Sequence, residues 1–182
     1  MKPLPLAVRL GSGPHRSLLL HRAAGLGLAD EAALENEALR RGCRHYAPPD
    51  WVPTTSPSAT KLRNEDLAVC LLHPSLPADP QRIRLGAAML GAAGNSARHL
   101  AHRSVQERAE RIVAEIARAG REYEPHNDFW RDLLSLLPDT APVPAGVLPH
   151  RSRFVILPGR QRPGNTVSQP GPQWIRPVLP AA

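Results

Sequence analysis

NEDLAVCLLHPSLPADPQRIRLGAAMLGAAGNSARHLAHRSVQERAERIVAEIARAGREYEPHNDFWRDLLSLLP, residues 64–138, is the stretch whose reading decides the fold. Asn64 is a good helix cap with Glu65 and Asp66 in the first turn, and Leu67–Leu72 gives two turns before Pro74. Asp79 caps a second helix with Pro80 at its first position, where the missing N–H costs nothing. That helix runs through Ile83, Ala87 and Leu90 to a stop at Gly94-Asn95, and its small residues Gly86, Ala87, Ala88 and Gly91 admit a close neighbour. Ser96–Arg103 reads as a short helix. Val105–Ala119 reads as a longer one, with Val105, Ala109, Ile112, Val113 and Ile116 on one face and a favourable Glu107→Arg111 pair on the other. Gly120 is a stop or a kink. Asn127 then caps Asp128–Leu137, whose stripe is Phe129, Trp130, Leu133, Leu134 and Leu137, and Pro138 ends it. The spacing predicts a mainly α fold, a small orthogonal bundle of about five helices over residues 64–138.

Working outward, Asp30–Arg41 is a further helix. Acids stand at its start, Arg40 and Arg41 at its end, and Gly42 suits the left-handed position after it. Residues 43–61 turn irregular around Pro48, Pro49, Pro53 and Pro57, with Tyr46 and Trp51 as anchors to the domain. Four segments result: a basic Pro/Gly-containing arm (1–29), a helix plus Pro-rich linker (30–63), the helical domain (64–138) and a Pro-rich basic tail (139–182). The N-terminal arm holds an extended piece at Leu6–Leu10 and a short helix at 17–24. The tail holds one strand-like run, Arg153–Leu157, which residues Gln173–Arg176 pair with in a short hairpin.

Composition supports this division. Only five of the 21 prolines fall within residues 64–138, and they sit at helix starts, stops and turns. The net charge of +7 belongs to the flanks: residues 1–29 carry four bases and no acid, residues 150–182 five bases and no acid, and the middle is slightly acidic. A high pI points to an anionic partner, and here that applies to the arms alone. Arg outnumbers Lys 21 to 2 beside abundant Ala, Leu, Pro and Gly, the codon bias of a GC-rich bacterial genome. Two cysteines are too few for a disulfide framework and fit a reducing cytoplasm. No leader peptide or membrane span is evident, so the expectation is a soluble cytoplasmic protein without a membrane partner.

Each polar constellation has a structural reading that outweighs the chemical one. Cys43, His45, Cys70 and His73 offer two thiols and two imidazoles, but not in the paired spacing of zinc frameworks, so no metal is expected. His99 and His102 share a helix face without a third ligand. The segment from Arg22 to Leu34 resembles the turn of a helix-turn-helix, yet Asp30, Glu31, Glu35 and Glu37 put four carboxylates where phosphates would lie. Gly11-Ser12-Gly13 and Gly25-x-Gly27 lack the context of a phosphate loop or a nucleophile elbow. Leu133–Leu137 fits an LxxLL pattern but reads as a core helix.

No nucleophile, base or cofactor site is assignable, so no catalysis and no cofactor are expected. The leading expectation is a non-enzymatic protein-interaction or adaptor module with another protein as partner. The alternative is a nucleic-acid-associated accessory protein working through its basic arms. The candidate contact residues are Arg151, Arg153, Phe154, Arg160, Arg162, Trp174 and Arg176, whose mixture of guanidinium and aromatic groups can hold single strands by phosphate contact and stacking.

Overall fold

A computed structural model describes residues 4–11, 13, 16–52, 61–157 and 171–178. Within them the protein is mainly helical, with eight α-helices: α1 Leu6–Arg9, α2 Leu18–Gly25, α3 Glu31–Arg40, α4 Asn64–Leu71, α5 Pro80–Leu90, α6 Ala97–Gln106, α7 Glu110–Tyr123 and α8 Asp128–Leu136. Two 3-10 turns, Arg44–Tyr46 and Arg151–Phe154, and two short strands, β1 Val155–Ile156 and β2 Gln173–Trp174, complete it. No helix among the described residues is long and apolar enough to cross a membrane.

The centre is α4. Every residue from Glu65 to Leu71 is buried, which an eight-residue helix achieves only when covered on all sides. It packs most extensively on α5, and also on α6, α3 and α2. The small residues of α5 permit this: a Cβ on Gly86 would lie 2.7 Å from the Leu72 side chain. α8 closes the far side against α6 and α7. The apolar stripe of α7 is buried at Ile112, Val113 and Ile116, and that of α8 at Trp130 and Leu133.

Local chemistry explains most boundaries. Ser17, Asp30, Asp79, Ser96 and Asn127 each accept a backbone N–H from the first turn that follows them. Gly42 takes φ +106° after α3, and its carbonyl accepts the Val178 N–H at 2.9 Å. Tyr46 and Trp51 tie the linker down, through Tyr46 Oη to the Arg153 carbonyl at 2.7 Å and Trp51 Nε1 to Asn36 Oδ1 at 3.2 Å.

Four local expectations change. Asn64 is the first helical residue rather than the cap. Its Oδ1 accepts from Arg41 Nη1 at 2.9 Å, while Glu65 accepts the Ser96 N–H and Asp66 accepts from His99 and Arg103. Leu6–Leu10 is a helical turn, not extended, because that spacing puts both buried leucines on one side. The helix expected over Val105–Ala119 is broken at residues 107–109, where Arg108 adopts φ +54°. The cause is Glu107, which turns inward and accepts hydrogen bonds from Ser17 Oγ and the Leu19 N–H. Two buried hydrogen bonds to a charged group outweigh a surface Glu–Arg pair, and Arg111 instead donates to the carbonyls of Leu10, Ala141 and Pro142. Gly120, finally, does not stop α7, which continues to Tyr123.

The segments flanking residues 64–138 supply core residues. Leu6, Leu19, Ala23 and Leu28 come from the first, and Phe154, Val155, Trp174 and Ile175 from the last. The expected pairing of Arg153–Leu157 with Gln173–Arg176 is shorter than that: Arg153 and Phe154 belong to the 3-10 turn, and the antiparallel pair is Val155–Ile156 with Gln173–Trp174, in which Val155 faces Trp174 and Ile156 faces Gln173.

Candidate interaction site

Three of the seven candidate contact residues, Phe154, Trp174 and Arg176, meet in one groove, where both aromatic rings are buried. Segment 171–178 crosses the body in extended form against α5, the α7–α8 corner and β1. Its main anchor is Trp174, 3% exposed. The indole Nε1 donates to the Ala87 carbonyl at 3.0 Å. The ring lies 4.8 Å from that of Trp130 and 5.5 Å from that of Phe154. Two glycines make the space. A Cβ on Gly91 would stand 2.5 Å from Trp174 Cδ1, and one on Gly120 would stand 2.4 Å from Trp130 Cδ2. The stack of Phe154, Trp174 and Trp130 therefore seats directly on the backbones of α5 and α7.

The second anchor is Arg176. Its Nη1 donates to Glu124 Oε1 at 2.7 Å, its Nη2 to Glu124 Oε2, and its Nε to the Gly91 carbonyl at 2.8 Å. Glu124 stands just past α7 and also accepts from Trp130 Nε1 at 2.9 Å, Asn127 Nδ2 at 3.0 Å and the Trp174 N–H at 3.2 Å. Burial by itself would raise this carboxyl, but the hydrogen bonds from Arg176, Trp130 and Asn127 outweigh it and hold the group at about 2. A guanidinium met on two carboxylate oxygens is directional as well as strong. Main-chain bonds complete the seat: the Ile175 N–H donates to the Phe154 carbonyl and the Val178 N–H to the Gly42 carbonyl, both at 2.9 Å.

The remaining candidates are distributed. Arg151 is exposed and paired with Glu122. Arg153 is exposed and shares a shallow basic hollow with His45, Tyr46 and Arg84. Arg160 and Arg162 lie outside the described residues. Phe154 and Trp174 have their ring faces covered by one another and by Trp130, so neither is presented to a base. Sequence reasoning named the segment's anchors and marked Gly91 as a place of close approach, but it missed Glu124 and the seats that Gly91 and Gly120 give to the two indoles. The signal was there: an isolated Trp-x-Arg in a polar tail, glycines inside two apolar helices, and an acid placed just beyond a helix end.

The metal-type residues do not converge. Cys43, Cys70 and His73 are buried, His45 is exposed on the 3-10 turn, and among the described residues no group of three or more His, Cys, Asp or Glu side chains could hold a metal ion. Burial pushes the Cys43 thiol up to about 12; burial, then the Asp66 and Glu107 charges, raise that of Cys70. No protein-family model, curated protein or solved structure matches this chain.

Proposed function

We propose that this chain is a non-enzymatic protein-interaction module of a bacterial cytoplasm, whose five-helix body over residues 64–138 receives an extended segment carrying an indole and a guanidinium two residues apart. One observation carries the reading: residues 171–178 lie on the body as a peptide lies on a receptor. Trp174 fills a slot, Arg176 meets a fixed carboxylate, and backbone N–H groups supply the rest. Deep aromatic and Arg anchors are the features that dominate binding energy at interfaces, and strand pairing with β1 is a recurring mode of peptide capture. In this structure the chain fills the groove with its own tail, and the partner class is a protein that presents the same pattern.

The test uses the full chain with Trp174→Ala and Arg176→Ala, which vacates the groove, and a fluorescent peptide GPQWIRPV, residues 171–178. The peptide is expected to bind the folded double variant saturably and the unaltered chain much more weakly. A double variant that keeps its helical circular dichroism and shows no peptide binding overturns the reading.

A second reading, a nucleic-acid-associated accessory protein, is favoured by the hollow of His45, Arg84 and Arg153 on the outer side of the hairpin. Clustered positive charge there suits phosphate. Salt-sensitive binding of a single-stranded oligonucleotide that is lost in Arg153→Glu would support it.

A further inference from the structure

Behind the turn that follows α4 lies a polar cluster that the interaction reading does not use. Ser75 is exposed on the wall of a cleft of about 620 Å³, together with Arg108, Arg111 and Thr140. Its Oγ is 2.8 Å from His73 Nδ1. The imidazole is fully buried, and its Nε2 is 3.5 Å from Glu107 Oε2. Glu107 is fixed in turn, through Oε2 to Ser17 Oγ at 2.5 Å and through Oε1 to the Leu19 N–H at 3.1 Å. A hydroxyl, an imidazole and a carboxylate thus stand in order from solvent to core.

The tautomer follows from the hydrogen bonds. His73 Nδ1 accepts the Ser75 backbone N–H at 3.1 Å, so that nitrogen carries a lone pair. In the neutral ring the proton is then on Nε2, facing Glu107. The one lone pair on Nδ1 is shared between the Ser75 N–H and the nearer Ser75 hydroxyl, which can pass its proton to it, and the carboxylate is placed to stabilise the imidazolium that forms. The 3.5 Å separation is long for a hydrogen bond, but the charge effect persists at that range in a buried setting.

The molecule contains its own control. His150-Arg151-Ser152 forms the same local turn, with Ser152 Oγ 2.8 Å from His150 Nδ1 and the Ser152 N–H at 3.3 Å. His150 is exposed, and among the described residues no carboxylate is paired with it. The turn by itself accounts for the Ser–His contact at both places; among the described residues the buried carboxylate stands at the first alone.

We propose that Ser75 is an acyl-accepting nucleophile for small activated esters, with His73 as its base and Glu107 as the residue that positions and charges the pair. As Oγ attacks the carbonyl carbon, its proton passes to His73 Nδ1. The C–O bond to the leaving alkoxide or phenoxide breaks, and the leaving oxygen takes that proton, giving a Ser75 ester and a free alcohol or phenol. The exposed guanidinium of Arg108 at the cleft favours acyl groups that carry a negative charge.

The full chain is treated with p-nitrophenyl acetate, phenolate release is followed, and the acylated residue is located by fragmentation mass spectrometry. Acylation of Ser75 at least about tenfold faster than of Ser152 is expected, in keeping with the rate that a positioned base contributes. Ser75→Ala, an exposed change, removes the fast phase, and Ser152→Ala leaves it intact. Glu107→Gln lowers the Ser75 rate and shifts its pH profile while circular dichroism is unchanged. Equal acylation of Ser75 and Ser152, a fast phase that survives Ser75→Ala, or a Glu107→Gln rate and profile identical to those of the unaltered chain each overturns the proposal.

Discussion

Trp174 occupies the place that a side chain on Gly91 would need: a Cβ built there stands 2.5 Å from the indole Cδ1. One position is the end of a helix and the other a tail residue, and neither can change without the other. Gly91→Ala gains helix propensity but forces the indole out of its slot, and overpacking of this kind costs about 1–3 kcal/mol. Urea unfolding is expected to show that loss. Trp174→Ala leaves a large void and costs about 3–5 kcal/mol. The double variant is expected to lose less than the sum, because the clash has already been removed.

Glu124 gives the fold a pH dependence with a definite sign. Its carboxyl is held at about 2 in the folded chain and returns to about 4.3 when unfolded. The unfolded state therefore takes up the proton first as pH falls. The contribution is full above about pH 4.3 and is lost progressively down to about pH 2. Midpoints measured between pH 6 and pH 2 should fall through that window, and Glu124→Gln should flatten the slope while lowering stability at neutral pH.

Glu107 joins α2 to the break between α6 and α7. In Glu107→Ala, Ser17 Oγ and the Leu19 N–H lose their buried acceptor, a loss of about 1–3 kcal/mol for each group left unsatisfied. Hydrogen exchange should show the Leu19 amide losing protection before those of α4, since the bond that holds it is the one removed.

Arg108 holds φ +54°, a conformation that glycine adopts without the steric cost an L side chain meets. The break at residues 107–109 is imposed by Glu107, so Arg108→Gly keeps the geometry and relieves the strain. The expected result is a gain of about 0.5–1 kcal/mol in urea unfolding, with the helical spectrum unchanged.

Both cysteines are buried, and burial is the main cause that pushes their thiols up, Cys43 to about 12. Neither should react with a disulfide reagent at pH 8 in the folded chain, and both should react once urea unfolds it. Rapid labelling of either thiol in the native state would contradict the packing around α4.

Local chemistry was legible in the sequence wherever the deciding interaction spans a few residues. Asp79 with Pro80, Ser96, Asn127 and Gly42 end or begin helices as their residue types require. The apolar spacing of Ile112, Val113 and Ile116 marks a buried face without reference to what covers it. The small-residue stretch of α5 also foretold a close approach, and the hairpin pairing followed from two short runs. The anchors Phe154, Trp174 and Arg176 stood out as well, but as exposed groups, because a tail rich in Pro and Arg gives no sign of the slot that receives it.

The sequence by itself determined the helical class, most of the caps, and which residues of the tail are unusual. The tertiary structure alone decided what they do. Glu107 left its helical neighbour Arg111 for Ser17, 90 positions away, and Glu124 took the Trp174 N–H across 50. Caps and stripes are set by neighbours a turn apart, so they are written in short windows of sequence. A buried charge must be satisfied by whatever donors folding brings within about 3 Å, and that choice exists only once the helices have packed.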